Sequence, residues 1–245
     1  MRVRRSSDNA ESDIGFAGAG DLDVTTLLAF TGGDSAFVAR WYDQSVNGRN
    51  ATQTTAAAQP RIVSAGVVDM LNGRPTLIFS GAQTLTCPVA AYINATDGTW
   101  TANAVFSTTN TVLGQNFVDS DATGRVAQFL RVGSNSISCI AFNSTNAAFS
   151  SSAAGLAANT ATVASSVRGL TSVQAHLNGA GGTLVTTSGT PTLQSRALSI
   201  GMRLNGTAFF GGSISEVVMV NSALNATERQ TLERNQGAYF GISVA

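Results

Sequence analysis

From "RPTLIFSG" at residues 74–81 to "GSISEVVMVN" at 212–221, the chain is a succession of short runs punctuated by Gly, Asn, Ser and Pro. Several of these runs, including "TANAVFSTT", "VAQFLRVG", "SISCIAFN" and "RALSIGMR", alternate apolar with polar residues. A period of two places successive side chains on opposite faces of a strand, so each run reads as a strand with one packed and one wet face. In "SVQAHLNGAGGTLV" the Asn178-Gly179 pair marks a hairpin, because both positions tolerate positive φ. Many short strands without a fixed-period repeat imply an all-β sandwich of two antiparallel sheets. At 245 residues the chain is within the range of one such sandwich, so residues 1–245 are expected to form a single domain.

Two stretches read as helices. "DLDVTTLLAFTG" at 21–32 begins with Asp21 or Asp23 as a cap and carries Leu27, Leu28 and Phe30 on one face. The segment 225–237 follows Ser222 or Asn225 as a cap. There Leu224, Leu232 and Tyr239 are expected to pack inward, with Glu228, Arg229, Glu233 and Arg234 in solvent. The low-complexity stretch "SSSAAGLAANTATVASS" at 150–166 reads as a loop or a small-residue strand rather than a linker, since alternation resumes at once.

Composition excludes several function classes. Only 11% of the residues are charged and the formal net charge is zero, which does not describe a nucleic-acid binder. All 14 basic residues are arginine, yet the one cluster, "RVRR" at 2–5, is too small for a nucleic-acid arm and lacks the apolar stretch of a signal peptide. No apolar run approaches membrane-spanning length. Cys87 and Cys139 lie far apart in strand-like runs, and with a single His the chain has no Cys/His metal spacing. Both cysteines are expected as buried free thiols, with a bridge between them left open.

The densest chemistry is in "ARWYDQSVNGRNATQ" at 39–53. Adjacent Trp41 and Tyr42 point to opposite faces of a strand, while Asp43, Gln44 and Ser45 form a turn that Asn47-Gly48 completes. This reads as a structural brace. In "DSDATG", Asp119 and Asp121 resemble the start of a calcium loop, but Leu130 stands where the bidentate Glu belongs, so a solvated turn is expected, with a lone Ca²⁺ as the alternative. No other cofactor is expected. His176 reads as a structural or surface residue, and Glu216 is the best residual candidate for an acid. Tyr92, Trp100 and Phe117 are candidate platforms for a sugar ring, against the alternative of core packing.

Some stretches also resemble known families. "FFGGSISEVVMVNSALNATERQTLERNQGAYFGI" resembles the closing strand and helix of concanavalin A-like, laminin-G-type jelly rolls, and "QPRIV" and "NGRPTLIFSG" match the same pattern. "RVRRSSDNAESDIGF" with "WYDQSVNGRNATQ" is similar to the start of the α-L-arabinofuranosidase B catalytic domain and, more closely, to concanavalin A-like domains of phage virion proteins. These motifs cover both ends and the first third. Related chains usually carry a further segment before this opening, so a missing upstream region or an alternative start is suspected.

The arabinofuranosidase resemblance implies a nucleophilic Glu on the run 124–133 and an acid/base in 200–206. Neither segment contains a carboxylate, and the neighbouring cysteine pair of those enzymes is absent. The expectation is therefore a concanavalin A-like jelly roll that is not an enzyme. The phage resemblance implies a virion structural protein, such as capsid decoration, head fibre or tail appendage, made in the host cytoplasm. Its partners would be capsid or tail proteins, a host surface glycan, or further copies of itself in a homo-oligomer, with no nucleic acid or membrane. The alternatives are an arabinofuranosidase-like glycoside hydrolase and a secreted bacterial lectin or adhesin module acting outside the cell.

Overall fold

The computed structural model describes residues 1–18, 20–90, 92–120, 127–191, 193, 196–203 and 205–245. It is an all-β jelly-roll sandwich with antiparallel pairing throughout and two α-helices, α1 (Val24–Thr31) and α2 (Ala226–Phe240). One layer runs, neighbour to neighbour, through Glu11–Asp13, Arg2–Arg5, Ala36–Trp41, Arg61–Ser64, Leu77–Ser80, Gly211–Val220, Trp100–Thr108, Thr162–Arg168 and Ser172–Leu177. The other runs through Ala51–Thr52, Leu85–Ala90, Arg196–Ile200, Gln115–Asp119, Ala127–Gly133, Ser136–Phe142 and Ala148–Ala154. The layers share the strand Ala36–Trp41, whose last residues Arg40 and Trp41 pair with Thr52 and Ala51.

The core between the layers is aromatic. Phe106 of the first layer and Phe117 of the second stand 4.5 Å apart, Phe210 lies 5.2 Å from Phe117, and Trp100 meets Phe129 edge-on at 4.8 Å. Offset and edge-on contacts of this kind add to the area that the rings remove from water. At one side the layers come so close that Thr183 N–H donates to Ser152 O at 3.1 Å. A Cβ on Gly182 would sit 1.9 Å from that same oxygen, so only glycine fits. The predicted hairpin is present, with Asn178 at φ 48° and Gly179 at φ 86°.

Both helices start where a side chain can satisfy an orphan amide. Asp23 accepts from Thr26 N–H at 3.0 Å, and Asn225 forms a capping box with Glu228. The packing of α2 corrects the sequence expectation. Arg229 and Glu233 are buried, at 6% and 0% exposure, whereas Tyr239 is 39% exposed. The reason lies in the surface beneath: α2 covers the outer face of the first layer, which presents Asn103, Ser165 and His176 as well as Val105 and Val163. A polar face of the helix is what such a surface can pair. Arg229 bonds Glu233 and Gly179 O, and Gln236 Nε2 donates to Asn103 Oδ1 at 2.6 Å. Trp100–Thr108 is consequently buried along its whole length, not wet on one side as its alternation suggested.

His176, under this helix, is pushed down to about 4 by burial and by the Arg229 guanidinium. It is neutral in the fold at pH 7, and the unfolded chain binds its proton first as pH falls. Stability should therefore drop as pH falls from about 6.5, the free imidazole value, to about 4, and that component should level off below. Urea titrations across this range should show the component in the parent and its loss in His176→Gln.

Candidate functional site

The strand Gly211–Val220 has a partner on one side from Gly212 to Val220, but on the other only from Gly211 to Ile214. Beyond Leu77 the neighbouring chain leaves the ladder. Pro75 has no N–H to contribute, and Arg74–Pro75 instead pairs with Met70–Leu71 in a separate hairpin. Where pairing stops, a cleft of about 800 Å³ opens. Val217 and Met219 form one wall, Cys87, Leu198 and Ile200 of the second layer contribute another, and α2 adds Asn235, Gln236 and Tyr239. The turn after Trp41, together with Phe16, Gly20, Asp21 and Leu22, completes the mouth.

Glu216 is half-buried in this lining, and its Oε2 accepts from Gln236 Nε2 at 3.1 Å. Burial raises its pKa above the ordinary carboxyl value, and the bond from Gln236 only partly opposes that rise. Such a group keeps a proton to a higher pH than a free glutamate does, which is the property of a general acid. Asp43 is the contrasting carboxylate of the cleft. Burial would raise it, but N–H bonds from Arg49 and Ser45, both at 2.8 Å, outweigh this and hold it below the usual range.

At the end of α2, Asp21 accepts from the Tyr239 hydroxyl and pairs with Arg74 at 3.0 Å, while the Arg74 guanidinium lies 3.9 Å from the centre of the Tyr239 ring. Asp21 is thereby fastened to the end of α2. Arg49 covers the Tyr92 ring at 5.4 Å, and burial raises the Cys87 thiol to about 11.

The residues singled out in the sequence divide in two. Trp41, Tyr42, Asp43, Gln44, Asn47 and Tyr92 all line the cleft. Asp43 also closes the turn, since its carboxylate takes Ser45 Oγ at 2.9 Å besides the two N–H groups, and its own N–H reaches Asn50 Oδ1 at 2.9 Å. Trp100 and Phe117 stand instead in the aromatic core, at 1% and 0% exposure. Cys87 and Cys139 are free and buried. Asp119 is fully buried and its carboxylate accepts from Asn116, while Asp121 lies outside the described residues. Among the described residues no group of three His, Cys, Asp or Glu gathers as a metal site, and no helix is long and apolar enough to cross a membrane.

Sequence reasoning missed Phe16, Asp21, Arg74 and Gln236. The glycine-rich "GFAGAGD" loop carries an exposed aromatic residue, which was the available signal for Phe16. It also missed where Asp119 falls: on the strand between the two segments that the arabinofuranosidase resemblance singles out, opposite Gln128 on one side and Ser199 on the other.

No protein-family model matches the chain, and no curated protein matches it by sequence. Solved structures do. An arabinofuranosidase complexed with arabinofuranosyl-α-1,2-xylobiose aligns with TM-score 0.62 and 18% identity over 96% of this chain and 57% of its own. A GH54 α-L-arabinofuranosidase soaked with a cyclic sulfate inhibitor gives 0.64 and 14% over 96% and 58%. The binding domain of botulinum neurotoxin serotype G gives 0.56 and 14% over 79% and 50%. This chain thus spans little more than half of those arabinofuranosidases, and at such identities the likeness is one of fold.

These comparisons correct the expectation that the chain is not an enzyme. The fold it shares over nearly its whole length is one that arabinofuranosidases use. The expectation rested on two segments without carboxylates, while Asp119 and Glu216 stand on other strands of the same sandwich. The comparisons named here say nothing of a virion.

The turn makes a direct prediction. Asp43→Ala leaves the Ser45 and Arg49 N–H groups without their acceptor, which should cost on the order of 1 kcal/mol or more. A lowered thermal midpoint relative to the parent checks it, and an unchanged midpoint shows that solvent replaces the carboxylate.

Proposed function

We propose that the chain is an arabinofuranosidase-like glycoside-processing protein whose ligand binds in the cleft, with Glu216 as the proton donor. One observation carries this reading: a carboxyl group held towards its protonated form by burial, inside a cleft with Trp41, Tyr42 and Tyr239 in its lining. Aromatic rings pack against the C–H faces of sugars, and amides and carboxylates between them take up hydroxyls. In the reaction, the Glu216 proton passes to the glycosidic oxygen as the bond to the anomeric carbon breaks, while a water molecule adds to that carbon and its released proton restores Glu216.

We take residues 1–245 to be one jelly-roll unit. Its setting, on a virion beside capsid or tail proteins or outside the cell, rests on the resemblance of the opening stretch alone. In either setting a surface polysaccharide is the glycan it would meet.

The test is hydrolysis of arabinofuranosyl-α-1,2-xylobiose, whose sugar leaving group departs only with a proton. The parent should turn it over, with a rate that falls as pH rises through the elevated Glu216 value. Glu216→Gln should lose about a hundredfold or more of that rate, the span of general-acid catalysis, at an undisturbed thermal midpoint. A parent no faster than buffer, or a Glu216→Gln variant as fast as the parent, overturns the assignment.

A further inference from the structure

Phe16 is 58% exposed, a large apolar ring left in water, and single exposed hydrophobic residues ordinarily need no explanation. Its position is less ordinary. It lines both the cleft and a second cavity of about 550 Å³ beside it, and Tyr42 and Gln44 also belong to both linings. The backbone that presents the ring is held in place. Phe16 forms a bridge with Leu22, Ala17 N–H donates to Asp21 O at 2.7 Å, and Asp23 N–H donates to Gly15 O at 3.1 Å. Little ordering entropy then remains to be lost when something stacks on the ring.

The far side of the second cavity is polar. Asp13 is occupied by Arg2, at 3.0 and 2.6 Å, and by the Tyr42 hydroxyl, so its charge is already compensated. The amides are only half used. Asn50 spends Oδ1 on Asp43 N–H, and Gln44 spends Nε2 on Tyr42 O at 2.8 Å. Asn50 Nδ2 and Gln44 Oε1 have no hydrogen bond among the described residues, which leaves a donor and an acceptor in the lining. A sugar hydroxyl is both donor and acceptor, and a ring face plus such an amide pair is the chemistry that recognises a sugar.

We propose that this second cavity is a further sugar subsite, with Phe16 as its stacking platform and the Asn50 and Gln44 amides as its hydroxyl partners. The ligand is accordingly an oligosaccharide of at least two rings lying across the Phe16–Tyr42 boundary, not a single glycoside. This rests on the glycoside reading of the cleft and adds the substrate class to it.

The test is calorimetric binding in the Glu216→Gln background, which blocks turnover, with methyl α-L-arabinofuranoside as the one-ring probe and arabinofuranosyl-xylobiose as the longer one. Phe16→Ala should weaken the longer probe by on the order of tenfold, the worth of one stacked ring, and the one-ring probe by clearly less. Phe16→Tyr should restore the longer probe. The thermal midpoint of Phe16→Ala should match that of its background, because the ring is exposed. Equal binding of the longer probe with and without the ring overturns the subsite alone, as does an equal loss for both probes. Failure of the Glu216→Gln protein to bind either probe, together with no arabinofuranoside hydrolysis by the parent, overturns the glycoside reading and the subsite with it.

Discussion

Burial of Trp100–Thr108 on both faces is the constraint from which the rest of the architecture follows. Its inward residues Ala102, Ala104 and Phe106 meet the second layer, while Asn103 and Val105 on the other face lie under α2. A strand so placed cannot leave a polar group unpaired cheaply, because a buried amide without a partner costs about 1–3 kcal/mol. Asn103 is at 0% exposure and is satisfied twice, by Ser165 Oγ at 2.9 Å and by Gln236 Nε2. Gln236 must therefore stand over Asn103, which sets where α2 docks. The same Nε2 reaches Glu216, so the geometry of the proposed acid is set by a polar chain that begins in the middle of the sheet.

The cleft arises where backbone pairing ends. A continuous ladder beside Gly211–Val220 would fill the space with a strand. Instead Pro75 and the short Met70–Leu71 hairpin draw the chain away after Leu77. An interrupted edge in water is a hazard for unwanted strand pairing. Here it opens into a walled cavity, closed above by the turn after Trp41 and by a loop tied to α2 through Asp21, Arg74 and Tyr239. The brace and the binding wall are consequently the same residues. Asp43 shapes the turn with its oxygens, while Trp41 and Tyr42 face the cavity that the turn encloses.

Much of the fold was legible because it depends on local rules. Period-two runs became strands, Asn178-Gly179 became a hairpin, and Asn225 with Glu228 capped α2. What was illegible depends on which surface an element meets. The polar stripe with Arg229 and Glu233 looks like a solvent face on a helical wheel, and only the outer face of the sheet, with Asn103, Ser165 and His176, makes it a buried one. Likewise Trp100 and Phe117 carry the side chains of a sugar platform, and nothing local distinguishes a ring at a rim from a ring in a core. The cleft gathers residues from 1 to 240, a range across which spacing in sequence holds no information about proximity.

The buried polar layer under α2 also bears on how the site tolerates change. An ion pair such as Arg229–Glu233 gains little net stability over well-packed apolar residues, yet removing one partner leaves an uncompensated charge in the interior. An apolar helix face would hold α2 at least as firmly, but it would bring no amide to Glu216 and no hydroxyl to Asp21. Retaining polar groups at this interface lets one helix perform two tasks: covering the sheet, and presenting Gln236 and Tyr239 to the cleft in fixed positions. Arg229 and Glu233, which look like a solvent face on the helical wheel, thus help to hold α2 on the sheet through Gly179 O, although neither side chain belongs to the lining of the cleft.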